Sequence, residues 1–256
     1  MEIRFDGKVA LITGGSRGIG EAIAALFLES GAEGVVITSR KEENLEEAAE
    51  RLGESDRLFP MAARADDPED AARGVARTIA RFGSCDILIN NAGTNPAAGP
   101  LATVDLGAVE KTWLVNQMGP LLWSREAWNQ SMAETGGAIV NVASVGAIQP
   151  GPVVGAYNVS KAALAHLTRQ LALELAPRVR VNAVAPSVVR TRLSRMLWDG
   201  IEETTAAAHP LNRIGEPDDV AAAVGFLASD AASWITGIVL PVDGGATGAS
   251  APAGMG

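Results

Sequence analysis

The chain has little of what many kinds of site require. A single cysteine, Cys85, excludes an intramolecular disulfide framework and fits a reducing compartment. With only His166 and His209 beside that cysteine, a zinc site of the usual Cys/His type cannot be assembled, and no metal is expected. Glycine or charge breaks every apolar stretch well short of the about 18 residues that suggest a membrane span. The first residues, Met1 to Lys8, hold no apolar signal core and run directly into a strand pattern, so the expected location is cytoplasmic. Basic residues are outnumbered 21 to 30 by acidic ones, and the net charge of −9 argues against a nucleic-acid partner, which would require a basic patch.

What is present is a core. The 256 residues, 47% of them apolar, suffice for one α/β domain, and no linker divides them. Short apolar runs at Lys8–Ile12, Val35–Thr38, Asp86–Ile89, Ala138–Val142, Val179–Val184 and Ile238–Val242 read as strands. Helical patterns lie between them: Glu21–Ser30, Lys41–Leu52, Asp70–Phe82, Val104–Met118 continuing to Ala133 with a break near Gly119-Pro120, Tyr157–Leu175, and Pro217–Leu227. This alternation predicts a doubly wound parallel sheet covered by helices on both faces. One domain is expected over residues 1–245, with a substrate lid at about 187–212 and a flexible tail, rich in Gly, Ala, Ser and Pro, over 246–256.

Two segments carry chemistry. Thr13-Gly14-Gly15-Ser16-Arg17-Gly18-Ile19-Gly20 joins the first strand to the first helix. Glycines there let backbone approach a pyrophosphate, and the helix N-terminus offers free N–H groups and the positive end of its dipole. At the end of the second strand stands Thr38-Ser39-Arg40, with no acid before Glu42. An NAD-preferring site would place a carboxylate there for the ribose 2′-hydroxyl; Arg40 and Arg17 instead suit a 2′-phosphate, so NADP(H) is expected. The second segment is Tyr157-Asn158-Val159-Ser160-Lys161, which contains the only tyrosine of the chain. One helical turn separates Tyr157 from Lys161, and an ammonium beside a phenol favours the phenolate, the basis of a tyrosine acid/base.

Together with Asn90-Asn91-Ala92-Gly93, Asn116, Ser144 (thirteen residues before Tyr157) and Asn182-Ala183-Val184-Ala185-Pro186, these motifs resemble the short-chain dehydrogenases/reductases from about Lys8 to Gly245. The resemblance implies a Rossmann-type fold and hydride transfer between a nicotinamide and an alcohol or carbonyl carbon. It makes Tyr157 the general acid in reduction and the base in oxidation, with Lys161 lowering its pKa and holding the nicotinamide ribose. Ser144 would hydrogen-bond the substrate oxygen and Asn116 would hold a relay water. Cofactor contacts implied are Gly14, Ser16, Arg17, Gly18, Ile19 and Gly20 in the turn; Ser39 and Arg40; Asp66 near the adenine; Asn90 near the adenosine ribose, with Ala92 and Gly93; and Pro186, Val189 and Thr191 at the nicotinamide. Two features depart from the family pattern: Asp66-Asp67 replaces an acid-then-apolar pair, and Ser187 stands where glycine is common.

The substrate is expected to be a small, apolar carbonyl or alcohol compound, met by loops at 94–96, 145–154 and 188–211, the last forming a short lid helix. Two subfamilies are similar, the NADP-dependent carbonyl reductases and the 3-oxoacyl-[acyl-carrier-protein] reductases. The second needs a basic patch for its acidic carrier, yet Met132–Gly137 has no base and Leu173 stands where one is expected, leaving Arg125 and Arg169. A non-catalytic NADP(H) sensor is a third reading, disfavoured by the intact Tyr157 and Lys161. The resemblance also implies a homotetramer or homodimer.

Overall fold

The computed structural model describes residues 3–53 and 55–248. Seven strands form one parallel sheet in the order β3-β2-β1-β4-β5-β6-β7: β1 Val9–Thr13, β2 Gly34–Ser39, β3 Leu58–Ala62, β4 Ile87–Asn90, β5 Gly137–Val142, β6 Val179–Pro186 and β7 Val239–Val242. Side chains alternate across it. Ala10 and Ile12 of β1 join a core with Phe27, Leu45 and Val224, while Leu11 between them joins a second core with Val75, Trp123 and Leu171. Helices α1 Gly18–Glu29 and α2 Glu42–Leu52 cover the first face with α9 Pro217–Ala228; α3 Pro68–Phe82, α5 Gly119–Ala127 and α7 Gly155–Glu174 cover the second. This is the expected Rossmann-type architecture.

β3 is an addition to the sequence reading. Its Pro60 lacks a backbone donor, which argues against a central strand, but β3 is the sheet's edge and pairs with β2 alone, where proline is tolerated. The Asp66-Asp67 departure also has a structural reason: Asp67 caps α3, accepting hydrogen bonds from the N–H groups of Glu69 (2.9 Å) and Asp70 (3.1 Å) ahead of Pro68.

The expected break near Gly119-Pro120 is instead a continuous helical run. α4 Leu106–Trp113 passes through a π-helical turn at Leu114–Met118 into α5, then through a second at Trp128–Met132 into the short α6 Ala133–Thr135. A wider turn inserts a residue without ending the helix. Glycine is required just after the first one, because a Cβ on Gly119 would stand 2.7 Å from the Ala65 carbonyl oxygen.

The lid contains a 3-10 turn, Arg195–Leu197, and the short helix α8 Glu202–Ala207. Residues 246–248, expected to begin a flexible tail, form turns closed on Asp243, which accepts from the Thr247 N–H (2.8 Å) and hydroxyl (2.6 Å); residues 249–256 lie outside the described residues. No helix among the described residues is long and apolar enough to cross a membrane.

Candidate active site

The C-terminal strand ends open into a cavity of about 780 Å³. At one end is the first turn. Gly14 takes a left-handed φ of +66°, and a Cβ on it would come within 2.9 Å of Ala92 Cα. Asn91 braces this turn from β4, its Nδ2 donating to the carbonyls of Thr13 (3.0 Å) and Gly14 (2.9 Å). Among the described residues no side chain caps the N-terminus of α1, so its first N–H groups keep their donor capacity. The acid in its first turn, Glu21, is engaged by Arg51 at 2.6 Å, which lessens its repulsion of an anion there.

Of the residues expected at the cofactor, Gly14, Ser16, Arg17, Gly18, Ile19, Ser39, Arg40, Asp66, Ala92, Gly93, Pro186, Val189 and Thr191 line this one cavity. Arg17 and Arg40 are exposed at its wall and form no ion pair among the described residues.

Three of the expected site residues do not line the cavity. Gly20 does not line the cavity; it is a packing position, since a Cβ there would lie 2.4 Å from the Gly14 carbonyl oxygen. Asn90 turns into the protein, donating to Asn141 Oδ1 (2.9 Å) and Ser124 Oγ (3.1 Å), and its neighbour Asn91 faces the cavity instead. Asn116 is fully buried and its amide is already occupied. Oδ1 accepts from the Thr94 N–H (2.8 Å), and Nδ2 donates to the Thr94 carbonyl (2.9 Å) and to Ser160 Oγ (3.0 Å). Ser160 in turn donates to the Tyr157 carbonyl at 2.7 Å, so the Asn116 side chain braces the turn that carries Tyr157.

Asp66 has a partner that its local sequence does not announce. Lys111 of α4 reaches its Oδ2 at 2.5 Å and Arg64 reaches it at 3.1 Å. Burial pushes this carboxyl up, but the Lys111 hydrogen bond and charge, with Arg64, outweigh it and hold the pKa below the ordinary carboxylate value. Its Oδ1 is buried with no hydrogen-bond partner among the described residues, and Asp66 as a residue lines the cavity, so a ligand N–H donor there would satisfy it.

At the opposite end Ser144, Tyr157 and Lys161 converge. Ser144 caps the 3-10 turn Val145–Ala147, its Oγ accepting from the Gly146 N–H at 3.1 Å. Tyr157 sits in the first turn of α7, and Lys161, 3% exposed, sends Nζ to the Val142 carbonyl at 2.7 Å, with the Tyr157 ring centre 5.6 Å away. The expectation that the lysine holds the phenol low is not met in this state. Tyr157 as a residue is only half-buried, yet burial of the phenol pushes it up to about 12, against the opposing effect of the nearby Ser144 hydroxyl. Burial pushes Lys161 down to about 8. Desolvation outweighs the pairing. The group can therefore give a proton from a neutral phenol to an oxygen that also receives the Ser144 hydroxyl.

The cavity fits a dinucleotide: a glycine cradle at an uncapped helix N-terminus, an unpartnered buried carboxylate oxygen on one side, and a hydroxyl pair at the far end.

A protein-family model described as Enoyl-(Acyl carrier protein) reductase matches residues 14–247. Among curated relatives, the chain is 40% identical over 242 residues to Dehydrogenase/reductase SDR family member 4 of Homo sapiens, covering 93% of this chain and 87% of that protein. It is 36% identical over 250 residues to Tropinone reductase-like 3 of Erythroxylum coca, covering 94% of each. A solved short-chain dehydrogenase/reductase from Brucella melitensis, titled glucose/ribitol dehydrogenase, superposes with a TM-score of 0.91 at 34% identity, covering 96% of this chain and 99% of that one.

Proposed function

This chain belongs to the short-chain dehydrogenase/reductase family, and from that premise we propose that it is an NADP(H)-dependent carbonyl reductase, converting a ketone into a secondary alcohol and back. The observation that carries the reading is the convergence of Ser144, Tyr157 and Lys161 in the wall of one cavity with a glycine-lined helix N-terminus that no side chain caps among the described residues. The family uses nicotinamide cofactors, and when bound the reduced nicotinamide supplies the hydride.

The chain's own residues handle the oxygen. As negative charge grows there, the Ser144 and Tyr157 O–H groups donate to it, and Tyr157 then gives up its proton. A phenol held at about 12 is fully protonated at neutral pH, which suits the reducing direction. Lys161, one helical turn on, supplies positive charge beside the tyrosinate that forms. Asn116 acts through Ser160 to keep the Tyr157 turn in place.

The NADP(H) assignment rests on the absence of an acid at Thr38-Ser39-Arg40 and on Arg17 and Arg40 at the cavity wall, which form no ion pair among the described residues. Gly14, Ser16, Gly18 and Ile19 would receive the pyrophosphate, Asp66 Oδ1 the adenine amino group, and Pro186, Val189 and Thr191 the carboxamide end.

An apolar substrate is favoured by the lid. Leu193, Met196 and Ile201 are each more than half exposed on it. Two of its three arginines are already engaged: Arg190 pairs with Glu216 at 3.1 Å and covers Trp198, and Arg195 pairs with Asp199 at 2.6 Å. A carrier-protein substrate is the second reading; against it, Leu173 is an exposed leucine at a position where an acidic partner would need a base. A homotetramer or homodimer accords with the exposed Trp113, Leu114, Met118 and Leu121 along the α4–α5 run.

NADPH oxidation measured with acetoacetyl groups on carrier protein, on a small thioester and on free ketones tests this proposal. Free ketones turned over as well as or better than the carrier form support it. A large preference for the carrier form makes the enzyme a 3-oxoacyl reductase of chain elongation instead.

A further inference from the structure

Ser187, the departure from glycine that the proposed reaction does not use, lies directly after β6 in the wall shared by the main cavity and a second one of about 460 Å³. Its hydroxyl is 2.9 Å from Nε2 of His209, a residue only 5% exposed, just beyond α8 in the lid. The other ring nitrogen fixes the roles. Nδ1 is 2.7 Å from the carbonyl of Thr205, which can only accept, so Nδ1 carries the proton. In the neutral ring Nε2 then has only a lone pair to offer, and Ser187 donates to it. The chain of contacts continues inward along the lid: the Thr205 hydroxyl donates to the Leu197 carbonyl at 2.9 Å, the final residue of the 3-10 turn.

We infer that Ser187 and His209 are a positioning pair that latches the lid to the end of β6 and thereby fixes the lid side of the substrate cavity. The rest of the lid's attachment is sparse in side chains at this point: Leu211 N–H to the Gly244 carbonyl at 3.1 Å is backbone alone, and the apolar lid residues Met196 and Ile201 stay exposed. A glycine at 187 would leave His209 Nε2 buried with no partner from β6, a costly state for a polar group. The serine therefore ties the residue after β6 directly to the lid by a side-chain contact. The inference rests on the lid being the substrate wall of the proposed reductase, but the latch itself is testable without turnover.

The test is trypsin cleavage of the cofactor-free protein, with cuts at Arg190, Arg192 and Arg195 followed by mass spectrometry, beside the KM for a ketone and the dissociation constant for NADPH. Ser187→Ala and His209→Leu should each speed cleavage in 190–195 by about fivefold or more, the loss of one buried hydrogen bond. The double variant should be no faster than either single one, because both remove the same contact. His209→Gln, which can keep an acceptor near the Nε2 position, should restore slow cleavage. The ketone KM should rise in parallel while NADPH affinity holds. Unchanged cleavage in Ser187→Ala, or effects that multiply in the double variant, would overturn the latch. Should His209→Leu fail to fold, Ser187→Ala and Ser187→Gly give the same readout with the histidine in place. Failure of the reductase reading would show as no NADPH oxidation with any free ketone in the unaltered protein and would leave the cleavage pattern untouched.

Discussion

Lys161 Nζ lies 2.7 Å from the carbonyl oxygen of Val142 and 5.6 Å from the centre of the Tyr157 ring, so the end of β5 tethers the ammonium beneath the phenol. The tether fixes a charge in a place where water hardly reaches it. That geometry explains why spacing alone misjudged the pair: one helical turn brings the two side chains together, but their pKa values follow burial first.

A stability profile should reveal it. Lys161 falls from 10.5 in the unfolded chain to about 8 in the folded protein, so between these values the unfolded state binds more protons and stability rises with pH. Tyr157 moves from 10.0 to about 12, so from pH 10 upward the folded state binds more protons and its contribution is lost. Denaturant titrations should therefore show a rising limb between pH 8 and 10 worth up to roughly 3 kcal/mol, which Lys161→Met removes.

Cofactor choice should depend on Arg40 and Arg17. Each charge-assisted contact to phosphate contributes about 1.5–3 kcal/mol, so Arg40→Ala should weaken NADPH binding by roughly ten- to a hundredfold and leave NADH binding unchanged. Equal losses for both cofactors, read by fluorescence titration, would remove the 2′-phosphate assignment.

Lys111 should matter to the cofactor although it does not line the cavity. Lys111→Met leaves Asp66 with Arg64 alone, and the carboxyl pKa should rise. The KM for NADPH should increase by about tenfold, the effect of losing one well-placed charged contact, while the ketone KM stays fixed. A rise confined to the ketone would place Lys111 at the other end of the site.

Gly74 in α3 carries a packing prediction. A Cβ there would stand 2.5 Å from the Trp123 ring, which is fully buried and whose Nε1 donates to the Ala65 carbonyl at 3.2 Å. Alanine gains about 1 kcal/mol of helix propensity over glycine, but overpacking a locked ring costs about 1–3 kcal/mol. The clash should win, and Gly74→Ala should melt several degrees lower in a thermal scan.

The sheet was legible in the sequence because six of its strands are short, mostly apolar runs ending in turns, and the glycine turn, Ser144, Tyr157 and Lys161 are local signals in fixed order. β3 was hidden by Pro60, which only an edge position makes acceptable. Asn90 and Asn91 could not be told apart because neighbours at a strand end face opposite ways, and one residue of register decides which meets the cavity. Lys111 with Asp66, and His209 with Ser187, are tertiary pairs 45 and 22 residues apart, and no local pattern announces them. The π-helical turn before Gly119 was read as a break because glycine-proline usually ends a helix; the wider turn accommodates both.

The central claim is that Tyr157 delivers the proton to a carbonyl oxygen. It is tested most directly by single-turnover NADPH oxidation with a free ketone in Tyr157→Phe, beside NADPH binding followed by fluorescence. The account predicts binding like that of the unaltered protein and a rate lower by about 10²–10⁴-fold. Unchanged turnover in the phenylalanine variant would contradict it.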